Sequence, residues 1–126
     1  MAADAKGALQ ASVTKTANFD STALNLPAGS PLFGVMLWAR VIFSAAATSS
    51  GAGAATFEVQ ESADNLTFVK ISQTSESVLT LSTTAQSGEI FIPFRTSKPY
   101  VRLSLTGVSG TGATVTYQGD LVMARP

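Results

Sequence analysis

Strict alternation of apolar and polar side chains, in short segments between turns, constrains this chain more than any other feature. In residues 99–106, Val101, Leu103 and Leu105 fall on one side and Tyr100, Arg102 and Ser104 on the other. Residues 113–123 repeat the pattern, with Val115, Tyr117, Leu121 and Met123 opposite Thr114, Thr116, Gln118 and Asp120, and Gly119 marks a bulge or bend. A step of two is the period of a strand with one face buried and the other wet. In residues 56–62, Phe57 and Val59 oppose Glu58 and Gln60; the turn-forming Ser62, Ala63, Asp64 and Asn65 then lead into residues 66–72, which together read as a hairpin. Ile90, Ile92 and Phe94 alternate in residues 89–94, where Pro93 points to an edge strand or a strand end.

Residues 32–43 (LFGVMLWARVIF) depart from this alternation. Phe33, Val35, Leu37, Val41 and Phe43 occupy one side, while Leu32, Met36, Trp38 and Ile42 fill much of the other. A strand that is apolar on both sides is expected to be covered on both sides. With residues 22–26 and 78–81 added, the count is about eight strands, which implies an all-β sandwich or barrel. Three tracts of small residues, 44–56, 82–89 and 107–114, lack an apolar face and read as loops. Helix is scarce, with at most a turn or two within residues 4–12. Residues 1–20 lack the apolar density to join a core alone and read as an N-terminal arm, leaving residues 21–126 as one β-sandwich domain.

Composition narrows the function. The sequence contains no histidine and no cysteine, and 13% of its residues are charged, so the usual parts of acid–base, nucleophilic and transition-metal chemistry are scarce. No enzyme activity, cofactor or metal is expected. Eight basic and eight acidic residues give zero formal net charge, which does not suit nucleic acid as a main partner. Low net charge, 45% hydrophobic residues and a mean hydropathy of +0.27 instead favour a chain that covers part of its surface with another chain. No continuous apolar run marks the first residues as a secretory leader, and residues 32–43 contain Arg40 and are too short to span a bilayer as a helix, so a soluble protein without a membrane partner is expected.

Several residues are candidates for function. Trp38, the single tryptophan, suits packing in a core or an oligomer interface, and its alternative use is as a stacking platform for a sugar. Arg40 interrupts the apolar stripe as either a snorkelling strand-end residue or an interface anchor paired with an acid. Glu58, Glu61 and Asp64, next to Asn65, could hold calcium or act as a carboxylate pair, but they lack EF-hand spacing and read more simply as a wet strand face and an Asx turn. Gly107, Gly110 and Gly112 imitate a phosphate loop, yet strand pattern rather than helix resumes at Ala113. Arg95, Lys98 and Arg102 form a small basic group that could meet an acidic protein patch or simply stay solvated.

The order of elements carries a resemblance. The start MAADAKG, the strand STALNLPAG, the hairpin FEVQESADNLTFVKI, the segment IFIPF and the closing pair PYVRLSLTGVSGTGATVTYQGDLVM together resemble the small jelly-roll cement, or decoration, proteins of tailed-bacteriophage capsids. That resemblance implies an eight-stranded jelly roll preceded by an arm, assembling as a dimer or trimer on the outer surface of a virion made in the host cytoplasm. It would clamp neighbouring major capsid protein subunits, with Asp4 and Lys6 of the arm and Trp38 and Arg40 of the apolar strand as the expected contact residues. Competing expectations are a carbohydrate-binding jelly-roll module and another small head or tail protein of a virion.

Overall fold

The computed structural model describes residues 8–26, 32–49, 52–72 and 75–122. Ten strands run through them: β1 (Ala8–Lys15), β2 (Phe19–Asp20), β3 (Leu24–Asn25), β4 (Leu37–Ala47), β5 (Gly53–Ser62), β6 (Val69–Lys70), β7 (Glu76–Leu81), β8 (Gln86–Phe94), β9 (Tyr100–Ser109) and β10 (Thr114–Val122). They form two antiparallel sheets. The first has the order β1-β10-β4-β8; in the second, β9 and β5 are central, with β2 and β3 beside β9 and with β6 and β7 beside β5. The chain passes from sheet to sheet as it goes: β4, β8 and β10 each lie in the first sheet, and each follows a strand of the second.

The alternation explains why the sheets stack. Leu37, Ala39, Val41 and Phe43 of β4 and Ile92 and Phe94 of β8 are buried on one side; Ala55, Phe57 and Val59 of β5 and Val101, Leu103 and Leu105 of β9 are buried on the other. These residues join one continuous core with Val115 and Tyr117 of β10. The expected all-β sandwich is therefore the observed architecture. Pro93 lies on β8, an edge strand, where a missing N–H costs the sheet least.

Residues 8–20, expected within the arm, are instead built into both sheets. β1 pairs with β10 and β2 with β9, and Leu9 is buried in the core. The helical turn considered for residues 4–12 is likewise strand from Ala8 onward. Leu9 and Val13 supply the apolar contacts, but two register shifts in the β1–β10 pairing interrupt their alternation. Residues 1–7, and with them Asp4 and Lys6, lie outside the described residues.

The apolar strand is also shorter at its start than its pattern suggests. Residues 32–34 form a turn in which the Val35 N–H donates to the Leu32 carbonyl at 3.3 Å, and β4 begins at Leu37. The small-residue tracts, in contrast, are largely strand. β4 continues through Ser44 to Ala47 and β5 starts at Gly53; Ala46 and Ala55 are fully buried, so tertiary pairing overrides the weak strand preference of alanine. The third tract narrows to a tight hairpin loop between Ser109 and Thr114, where Gly110 and Gly112 adopt φ values of 105° and 63°. No helix follows it, which removes the phosphate-loop reading.

Candidate interaction surfaces

The two outward faces of the sandwich differ in chemistry. On the first sheet, the parity that buries Leu37, Ala39 and Val41 turns Trp38, Arg40 and Ile42 outward. The β8 register sets Pro93 beside Trp38, Phe91 beside Arg40 and Glu89 beside Ile42. On the opposite flank β10 places Val122 beside Trp38 and Asp120 beside Arg40. The result is an apolar stripe of Trp38, Ile42, Phe91 and Pro93, all half-buried, with a charge at its centre.

Arg40 has its acid. Its Nε donates to Glu89 Oε2 at 2.7 Å, one register step diagonal to it, with the two side chains 19% and 43% exposed. A pair this open contributes about 0–1 kcal/mol. Its main effect is on the surface: it neutralises the guanidinium while the arginine stem stays on the stripe.

The second sheet presents a polar network that satisfies itself. Asp20 on β2 accepts from Ser104 Oγ and pairs with Arg102 at 3.4 Å. Arg102 Nε donates to Gln60 Oε1 at 2.7 Å, and Gln60 Nε2 donates to Glu58 Oε2 at 2.8 Å. The same guanidinium lies 4.0 Å from the Phe68 ring centroid, and Lys70 pairs with Glu76 at 3.3 Å. Arg102 thus leaves the basic group that the sequence suggested.

The carboxylates of residues 58–64 part company as well. Glu58 joins this network, whereas Glu61 accepts from Thr96 Oγ1 at 2.7 Å. Asp64 organises the turn after β5: its Oδ1 accepts the N–H groups of Leu66 at 2.9 Å and Thr67 at 3.0 Å, as well as the Ser62 hydroxyl. Those bonds, the Thr67 N–H foremost, hold the Asp64 carboxyl below its ordinary value. The Asx-turn reading accounts for Asp64, and among the described residues no three His, Cys, Asp or Glu side chains group as a metal site.

A third feature was not legible in advance. Met36, Ile71, Ser72, Pro93, Phe94 and Arg95 line an open recess of about 460 Å³ where the stripe meets the β8 edge. Hydrogen bonds frame it on two sides. Ser75 Oγ donates to the Pro93 carbonyl at 3.3 Å and shares a 3.0 Å bond with Ser72 Oγ, while the Val59 N–H donates to the Ser75 carbonyl at 2.9 Å. Next to Arg95 in the chain, Thr96 is buried; its carbonyl accepts the Gly34 N–H at 2.9 Å and its hydroxyl accepts the Lys98 N–H at 3.1 Å.

Of the expected contact residues, the structure therefore brings Trp38 and Arg40 together on one outward face, and Asp4 and Lys6 fall outside the described residues. Sequence reasoning missed Glu89, Phe91 and Pro93. The signal was present in IFIPF, which is apolar at every position, as residues 32–43 nearly are. Compared with known proteins, the sequence matches no family model and no curated protein.

Proposed function

We propose that this protein is a non-enzymatic structural component of a tailed-phage virion that docks on the assembled capsid and reinforces it by spanning neighbouring major capsid protein subunits. The observation that carries this reading is the contrast between faces. One sheet carries a contiguous half-buried apolar stripe around the Arg40–Glu89 pair; the other carries a polar network at its centre, with Val69 and Val78 exposed singly on β6 and β7 rather than joined in a stripe. A face with aromatic side chains, a central arginine and few other charges has the make-up of an interface core. The winding also supports it: the chain alternates between two stacked antiparallel sheets, β1-β10-β4-β8 and β2/β3-β9-β5-β7, which is compatible with the jelly roll that the resemblance implies.

Reinforcement follows from mass action. A protein that binds the assembled shell but not its separated subunits shifts the equilibrium toward assembly. If it associates as a dimer or trimer, its copies act together through effective concentration, so modest contacts suffice. The test is to add purified protein to bare shells and to unassembled capsid subunits and sediment both. Saturable binding to shells alone, with delayed thermal disruption of the particles, is expected; equal binding to free subunits, or none to shells, contradicts the proposal.

A further inference from the structure

We infer that the recess beside β8 receives an extended acidic segment of the partner protein, with one large apolar side chain entering it and flanking carboxylates meeting Arg95 and Lys98. This rests on the reading that the protein docks on another protein, and it specifies the chemistry of one contact.

Three observations lead there. First, Met36, Ile71, Pro93 and Phe94 give the recess an apolar lining, and its volume of about 460 Å³ is that of a small ligand site. Second, the frame is set before anything binds. The bonds from Ser75 to Pro93, from Thr96 to Glu61 and from the Gly34 N–H to the Thr96 carbonyl hold the segments on either side, so little ordering cost is left for docking.

Third, charge selects the occupant. Among the described residues, Lys15 lies 3.7 Å over the Phe19 ring, and Arg40, Lys70 and Arg102 each pair with a carboxylate. Arg95 and Lys98 are exposed, and neither side chain has a partner among the described residues. Arg95 lines the recess, and Lys98 sits three residues on in the loop that Thr96 pins. An apolar recess with one unengaged cation in its lining and a second three residues along the adjoining loop is complementary to an apolar side chain flanked by acids.

The protein carries its own reporter, because Trp38 is the cross-strand partner of Pro93 in the recess wall. The probe is a fluorescein-labelled peptide with one phenylalanine between two pairs of glutamates. Its counterparts carry lysine in place of glutamate, or alanine in place of phenylalanine. Anisotropy and Trp38 emission are read with the whole chain. The acidic peptide should bind in a salt-dependent way and perturb Trp38, both counterparts should bind far more weakly, and Arg95→Glu should weaken the acidic peptide about tenfold. Met36→Asp should do the same through the apolar lining, and an unchanged unfolding midpoint for Arg95→Glu would exclude misfolding as the cause.

Equal binding of the acidic and lysine peptides, or binding untouched by Arg95→Glu, overturns the inference. So does concentration-dependent self-association that Arg95→Glu and Leu66→Ser both abolish, since that would place the 84% exposed Leu66 of a second copy in the recess. If no peptide binds while the protein still decorates shells, this inference fails and the reading of function stands. If the acidic peptide binds as described and shells are ignored, the converse holds.

Discussion

The rings of Phe57 on β5 and Tyr117 on β10 meet edge to face across the gap between the sheets, their centroids 5.0 Å apart and their planes at 70°. Both are buried, yet the Tyr117 hydroxyl has no hydrogen-bond partner among the described residues. The contact closes the core, and the orphan hydroxyl offsets part of the gain. Phe57→Ala should therefore cost about 3–5 kcal/mol in denaturant unfolding. Tyr117→Phe keeps the ring contact and should be neutral or stabilising by about 1 kcal/mol.

The same tyrosine sets an alkaline limit. Burial, with the Asp20 carboxylate adding to it, raises the Tyr117 pKa from 10.0 to about 12. The unfolded chain releases this proton first, so stability is complete below pH 10 and falls between pH 10 and about 12. Tyr117→Phe should remove that part of the loss in unfolding experiments across this range.

Asp64 works in the opposite direction. Its folded carboxyl titrates below the ordinary value of 3.8, so its turn contributes above that pH and weakens as the pH falls below it. Asp64→Asn should flatten this acid dependence, measured as the difference in unfolding midpoint between pH 5 and pH 3, while leaving the fold intact.

Close packing gives a further check. A Cβ at Gly119 would sit 2.5 Å from Leu103 Cδ2, and Leu103 is itself fully buried. Gly119→Val should thus overpack the core and cost about 1–3 kcal/mol, and pairing it with Leu103→Ala should recover part of that loss in a double-mutant cycle.

Much of this fold could be read from local pattern, because a period of two assigns each residue to a face. Val101, Leu103, Leu105, Val115 and Tyr117 fall on the core side on that basis, whereas residues 32–43, apolar on both sides, gave no such choice of face. The pattern misled where it was broken or continued too far. Register shifts around Gln10 hid β1, and the apolar run that leads into Leu37 extends back through what is a turn. Partners distant in sequence were beyond local reading. Arg40 and Glu89 lie 49 residues apart, Thr96 and Glu61 lie 35 apart, and the recess draws on three separate segments. That Trp38 and Arg40 share one strand face could be read from their spacing, whereas which face is the outward one, and the β8 half of it, depended on register.

The most direct test of the account compares the two faces. Trp38→Glu places a charge in the apolar stripe; Trp38 points away from the core but is half-buried, so the change should cost about 1–2 kcal/mol of stability and leave the protein folded, which an unfolding curve checks. Glu76→Gln disturbs only the Lys70 pair on the opposite sheet. Co-sedimentation of each variant with bare capsid shells, across a range of protein concentrations, should show binding weakened tenfold or more by Trp38→Glu and unchanged by Glu76→Gln, about the difference a lost interface anchor makes. Full shell occupancy by Trp38→Glu at the concentrations that saturate the unaltered protein would contradict the assignment of this face as the docking surface.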